Sequence, residues 1–124
     1  MSFFTTEFVN FKNRCVWSWN GFVHVCKTEA SMRQWIVANI ISGFFTFVAP
    51  ISYTEQAILL AAGILILAAE CMNTAIERVV DDISTEKRDR ARQAKDAGSA
   101  AVAIMGLAVL AAWICIIFGL VARS

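Results

Sequence analysis

The sequence predicts an all-α integral membrane protein, with an N-terminal amphipathic helix lying in the interface and three transmembrane helices after it. Three observations predict this. Hydrophobic residues make up 58% of the 124 residues and charged residues 17%, against roughly 45–50% and about 25% in an ordinary soluble domain. The apolar residues gather into blocks instead of spreading along the chain. The basic residues fall between the blocks in a pattern that sets an orientation. The length suits a single domain, 1–124. A net charge of +1 supplies no global field for nucleic acid, so no nucleic-acid partner is expected.

The first segment, residues 1–28, places Phe4, Phe8, Phe11, Cys15, Trp19, Phe22 and Cys26 at spacings of three and four, which is one helical face. Lys12, Asn13, Asn20, His24 and Lys27 lie largely off it. A helix of this kind rests in the membrane interface with its rings dipped into lipid. A soluble amphipathic helix has the same period, but the rest of the chain leaves no soluble core to receive it. No basic stretch, apolar run and small-residue cleavage site precede it, so residues 1–33 read as mature structure. His24, a lone histidine, reads as structural or solvated. Cys15, Cys26, Cys71 and Cys115 show no CxxC spacing and are expected to be reduced, buried small hydrophobes.

The first span runs from about 30 to 49. Trp35 is expected at the headgroup level, and Pro50 closes the helix. Its uncharged run begins only at Gln34. Against the ~20 residues a span needs, Arg33 must snorkel or the helix must start in the interface. Asn39 and Ser42 are expected to face other helices. The short 50–55 loop makes the next helix, about 56–83, a tight antiparallel partner. That helix is strongly apolar for only 13 residues, 57–69, so crossing the bilayer carries Glu70 to the inner edge of the membrane. The last span, 97–122, has no charge over 26 residues and is rich in Gly and Ala, which lets membrane helices approach closely. Lys12, Arg14, Lys27 and Arg33 precede the first span, and Arg78, Lys87, Arg88, Arg90, Arg92 and Lys95 lie between the second and third. The N-terminus and the 78–96 stretch are therefore expected in the cytoplasm and the C-terminus outside.

The chemistry concentrates in two stretches. Glu70, Asn73, Thr74, Glu77 and Asp81 fall within a stripe about 100° wide on one helix. Carboxylates so placed repel one another unless a cation or partner neutralises them. A solvated helix end accounts for Asp81 and Arg78. It accounts poorly for Glu70, since an ionisable group at the lipid boundary is costly and usually functional. Three short spans cannot enclose a polar site in lipid, so the Glu70 face is expected to be buried against a neighbouring subunit. The second stretch, Ser84 to Ser99, is a basic loop feeding the last span. It suits a phosphate at a helix N-terminus or anionic lipid headgroups. Glu29 lies at the same membrane face. Carboxylates for Mg²⁺, basic groups for phosphate and a carboxylate at the lipid boundary are the equipment for phosphoryl transfer to a lipid hydroxyl. No GxxxxGK[ST] loop and no kinase-type glycine loop is present.

The run Glu70-x-x-Asn73-x-Ala75-Ile76-Glu77-x-Val79-Val80-Asp81, followed by Ala94-Lys95-Asp96-x-Gly98-Ser99-Ala100-Ala101-Val102, resembles the prokaryotic diacylglycerol kinase family of the proteobacterial type. Ser18-Trp19-x-Gly21 and Glu29-Ala30-x-x-Arg33-Gln34 add to the likeness, which covers essentially the whole chain. The resemblance implies an inner-membrane homotrimer that moves the γ-phosphate of MgATP to diacylglycerol, giving phosphatidic acid. It implies Glu70 as general base with Asn73 positioning the reacting groups, and Glu29 and Glu77 as Mg²⁺ carboxylates. It implies nucleotide contacts at Asn10, Trp17, Glu29, Glu77, Glu86, Lys87, Arg88, Lys95 and Asp96. The lipid groove would be lined by Arg14, Ser18, Trp19, Ser31, Arg33, Gln34, Trp35, Glu70 and Ser99. Two positions depart from the family pattern: Asn10 stands where an arginine is usual, with Arg14 one turn later, and Trp17 stands where a tyrosine is usual near the nucleotide base.

Two rivals accompany this reading. Undecaprenol kinase, an activity of related Gram-positive members, keeps the mechanism and changes the acceptor. A non-enzymatic membrane subunit or small ion-coupled transporter would use Glu70 as an intramembrane ion site, but leaves Glu29, Lys95 and Asp96 without a task.

Overall fold

The computed structural model describes residues 3–123, so residues 1 and 2 of the expected N-terminal segment lie outside the described residues. Four helices follow one another, α1 (Phe3–Thr28), α2 (Ala30–Val48), α3 (Tyr53–Ile83) and α4 (Asp89–Arg123), and no strand occurs among the described residues. α3 is the centre of the bundle. It packs most extensively on α4 and next on α2, while α1 meets α2 and α3 only lightly. α3 and α4 are long and apolar enough to cross a membrane, with mean hydropathy of 1.9 and 2.7 over their most apolar stretches.

The packing face of α3 is Leu59, Gly63, Ile66, Glu70 and Thr74, the residues of that helix that are buried. Their spacing of three and four is one helical stripe. The polar stripe singled out in the sequence is thus the continuation of the apolar seam, so the fold that buries Leu59 and Ile66 also aims Glu70 inward. Close approach is secured by glycine. A Cβ at Gly63 would lie 2.0 Å from Asn39 Oδ1, so the Asn39 carboxamide of α2 lies in the space a side chain would fill. Asn39 Nδ2 donates to the Trp35 carbonyl at 2.9 Å. On the other side, Trp113 Nε1 of α4 donates to Ser42 Oγ of α2 at 2.8 Å. Asn39 and Ser42 therefore both face other helices, as the sequence predicts.

Three expectations change. First, α3 starts at Tyr53, ahead of Gln56. Ser52 and Glu55 form a capping box in which the Ser52 hydroxyl accepts from the Glu55 amide at 3.2 Å and the Glu55 carboxylate accepts from the Ser52 amide at 2.7 Å. The S-x-x-E spacing is a sequence signal for a helix start, and it moves the boundary toward the Pro50 turn. Second, α4 starts at Asp89 and not at Ala97. The stretch from Asp89 to Asp96 is made of good helix formers, with Asp89 in the first turn where the helix dipole favours an anion. Third, the cysteines are free but not buried: Cys15 and Cys115 are exposed, and Cys26 and Cys71 are half-buried.

The Glu55 carboxyl is held below its ordinary value of 4.5, first by hydrogen bonds from Ser52 and then by Arg123, whose Nη2 lies 2.9 Å from Glu55 Oε1. A depressed carboxyl contributes stability that is complete above its unfolded value and lost as pH falls through its folded one. Acidification below about pH 4.5 is therefore expected to open the α3 N-terminus locally. Amide hydrogen exchange at residues 52–56 checks this, and protection that is flat from pH 6 to pH 3 after correction for the intrinsic rate would contradict it.

Candidate functional site

The site forms where α3 leaves the apolar seam. Glu70 is 3% exposed, and the Ser31 hydroxyl of α2 donates to its Oε1. Burial is thus achieved within one chain, not against a neighbouring subunit as the sequence suggested. α2 supplies a hydroxyl as well as a wall, and Met32 beside it is fully buried. One turn on, Asn73 Nδ2 donates to Glu77 Oε1 at 3.2 Å. Asn73 Oδ1 is buried without a hydrogen-bond partner and lies against Gly98 of α4, where an added Cβ would come within 2.5 Å. Gly98 is buried because α4 closes on α3 here.

Glu29 is the single non-helical residue between α1 and α2, at φ −102° and ψ 121°. Its side chain does not cap α2. Glu29 Oε1 pairs instead with Arg78 Nη2 of α3 at 3.1 Å and accepts from the Thr28 hydroxyl at 3.1 Å. Arg78 was read in the sequence as a positive-inside residue on a solvated helix end. Its partner lies 49 positions away, and no local pattern reveals such a pair.

Past Asp81 the α3–α4 connection folds over a cleft of about 490 Å³ lined by Asp81, Glu86, Lys87, Arg88, Lys95 and Asp96 among others. That is within the range of roughly 300–1,000 Å³ for small-molecule sites. Lys95 Nζ lies 2.7 Å from Asp81 Oδ1, and Arg92 pairs with Asp96 at 3.1 Å. Five nucleotide candidates from the sequence, Glu86, Lys87, Arg88, Lys95 and Asp96, are therefore brought to one cleft. Lys95 stands inside α4, nearly two turns from its start, because the helix begins at Asp89.

The remaining candidates are not gathered there. Asn10 is half-buried and Trp17 exposed on α1, and neither lines the cleft. Arg14, Ser18 and Trp19 share a shallow groove on α1 with Phe11, Cys15 and Phe22. Arg33 Nη1 donates to the Cys26 and Lys27 carbonyls at 3.2 and 3.1 Å, satisfying carbonyls at the end of α1. Trp35 packs over Gly106 of α4, where a Cβ would lie 3.0 Å from its ring, and the residue is half-buried. Gln34 and Ser99 are exposed.

Among the described residues no three His, Cys, Asp or Glu side chains are grouped closely enough to form a protein-only metal cage. That donor set still fits Mg²⁺, which is commonly bound by one or two carboxylates together with substrate phosphates. Glu29 and Glu77 are each half-buried and suited to that role.

A family model for prokaryotic diacylglycerol kinase matches residues 16–117. The chain is 33% identical over 107 residues to the diacylglycerol kinase of Pseudomonas aeruginosa, covering 86% of this chain and 87% of that one. It is 32% identical over 113 residues to that of Escherichia coli K12, covering 91% and 92%. It is 32% identical over 114 residues to that of Haemophilus influenzae, covering 92% and 97%. With a buried glutamate at the end of an apolar seam, a polar cleft beyond it and likeness along nearly its whole length, the chain belongs to the prokaryotic diacylglycerol kinase family.

Proposed function

We propose that the chain is an ATP-dependent diacylglycerol kinase that transfers the γ-phosphate of MgATP to the free hydroxyl of diacylglycerol, giving phosphatidic acid. The observation that carries this is Glu70: a carboxylate 3% exposed, with a hydroxyl already hydrogen-bonded to it, at the end of the apolar seam of α3 and about three turns before that helix reaches the polar cleft. An alcohol entering from lipid needs such a group to take its proton. Acyl chains stay in the bilayer, the hydroxyl reaches Glu70, and the nucleotide enters by the cleft of Glu86, Lys87, Arg88, Lys95 and Asp96. Trp17 and Asn10 on α1 belong to the nucleotide side in this reading. Arg14, Ser18, Trp19 and Gln34 belong to the lipid side, with Ser99.

Glu29 and Glu77 would hold Mg²⁺, which when bound neutralises charge on the transferring phosphoryl group. Glu77 is held in turn by Asn73. Catalysis on this account is chiefly positioning and charge neutralisation, since phosphoryl transfer asks little covalent chemistry of the protein.

On this reading the protein lies in the bacterial inner membrane with the N-terminus cytoplasmic and the C-terminus periplasmic, as the distribution of basic residues supports. α2 acts as the third span: its 19 residues extend about 28 Å at 1.5 Å each, close to a hydrocarbon core of about 30 Å. α1 lies in the interface. Its Phe4, Phe8, Phe11 and Trp19 are at least 63% exposed, a ring-bearing face that lipid or a neighbouring protomer must cover. A homotrimer supplies that neighbour.

The ion-coupled transporter is disfavoured by the seam beyond Glu70. Ile66, Gly63 and Leu59 follow it on α3, and the nearby polar groups are closed on internal partners, Asn39 on Trp35 and Ser42 on Trp113. The test offers diacylglycerol and undecaprenol side by side with radiolabelled MgATP in lipid mesophase. Labelled phosphatidic acid is the expected product. Label on undecaprenol alone changes the acceptor, and no labelled lipid from folded protein refutes the kinase.

A further inference from the structure

Among the described residues, Arg78 is the one cation that pairs with a proposed metal carboxylate, Glu29. The two carboxylates proposed to hold the metal, Glu29 and Glu77, repel an incoming polyanion unless a cation stands beside them. Three other cations are engaged elsewhere. Lys95 is on Asp81 at 2.7 Å, Arg92 is on Asp96 at 3.1 Å, and the Arg33 guanidinium serves the Cys26 and Lys27 carbonyls. Arg78 is held differently. Its Nη2 alone takes both the Thr28 hydroxyl at 2.6 Å and Glu29 Oε1 at 3.1 Å. Its Nε and Nη1 have no protein partner among the described residues, and the side chain is 43% exposed. A guanidinium anchored by one nitrogen keeps the rest of its fork of N–H donors for a planar or tetrahedral oxyanion.

We infer that Arg78 is a phosphate-binding residue of the nucleotide site, aimed by Thr28 and Glu29 across the α1–α2 junction. This rests on the kinase reading in which Glu29 and Glu77 hold the metal. A metal held by Glu29 would bring a triphosphate near the carboxylate that Arg78 already touches, within reach of its free N–H groups. Arg78 also offsets the repulsion between the carboxylates and the incoming nucleotide. Lysine at this position would keep the charge and lose the fork, because an ammonium cannot hold Glu29 and present a second planar edge at once.

The test is equilibrium binding of the β,γ-imido analogue of ATP with Mg²⁺ to the full-length chain in detergent, by titration calorimetry, which needs no turnover. Arg78→Gln is expected to raise Kd by about tenfold or more, the scale of losing hydrogen bonds to a charged group, and Arg78→Lys to recover part of it. In the lipid assay the same loss falls on KM for ATP, with KM for diacylglycerol unmoved. An unchanged Kd in folded Arg78→Gln overturns the inference and leaves the kinase standing. A tighter Kd also overturns it, since Arg78 would then only compete with the metal for Glu29. Wild-type protein that fails to bind the analogue at all takes the kinase reading down together with this inference. Should Arg78→Gln not fold, Thr28→Ala decides, because it keeps the charge and removes the hydroxyl that aims it: weaker binding supports the assignment and unchanged binding overturns it.

Discussion

Glu70→Gln is expected to reduce labelled phosphatidic acid by roughly 10²–10⁴-fold, the usual contribution of a positioned general base, while leaving a folded protein. Glutamine keeps the shape, and its amide oxygen can still accept from the Ser31 hydroxyl that Glu70 now holds. The replacement also removes a buried charge, so the melting temperature should hold or rise. The informative comparison is with nucleotide binding. If Glu70 takes the proton of the lipid hydroxyl, the variant binds MgATP as well as the parent and fails only in transfer. Activity within a few-fold of the parent would mean that proton removal happens elsewhere and that Glu70 is a structural partner of Ser31.

Gly98→Val is the second large effect. A Cβ at Gly98 would come within 2.5 Å of Asn73 Oδ1 and 3.5 Å of Ile76 Cδ1. Asn73 is tied through its nitrogen to Glu77, so the carboxamide cannot retreat without releasing that carboxylate. Overpacking of this kind costs about 1–3 kcal/mol. Because Asn73 and Glu77 move together, transfer should fall by about 10²-fold for a displacement near 1 Å. Gly98→Ala should lie between. Activity and thermal unfolding measured on both variants check this. Valine that leaves both unaltered would show that α4 can shift away from α3 without cost to the site.

Much of this geometry was legible before the structure. The α2 limits, the end of α3 at Ile83 and the inward facing of Glu70 and Thr74 follow from hydropathy and a 3.6-residue period, and the structure agrees with them; the stripe has reached solvent by Asp81, which is exposed. The start of α4 was not legible from hydropathy. Charged helix formers between Asp89 and Asp96 look like loop when only apolar runs are counted, and the propensity that makes them helical is a weaker signal. The pairing of Glu29 with Arg78 and the seating of Asn73 on Gly98 join residues far apart in the chain, and their existence depends on how three helices pack. Ser31 was read as a lipid contact. Its hydroxyl proved to be the partner of Glu70, which only the facing of α2 and α3 determines.

The unbroken course of α4 has a consequence for how this molecule meets its surroundings. Its 35 residues extend about 52 Å at 1.5 Å each, well past a hydrocarbon core of about 30 Å. The turns carrying Arg92, Lys95 and Asp96 belong to the same stiff rod as the apolar stretch, with no joint between them. When a thinner or thicker bilayer changes the tilt of that rod, the cleft wall swings with it, as the short arm of a lever follows the long one. The thickness of the host membrane thereby becomes a mechanical input to where the turn carrying Lys95 stands relative to the bilayer surface.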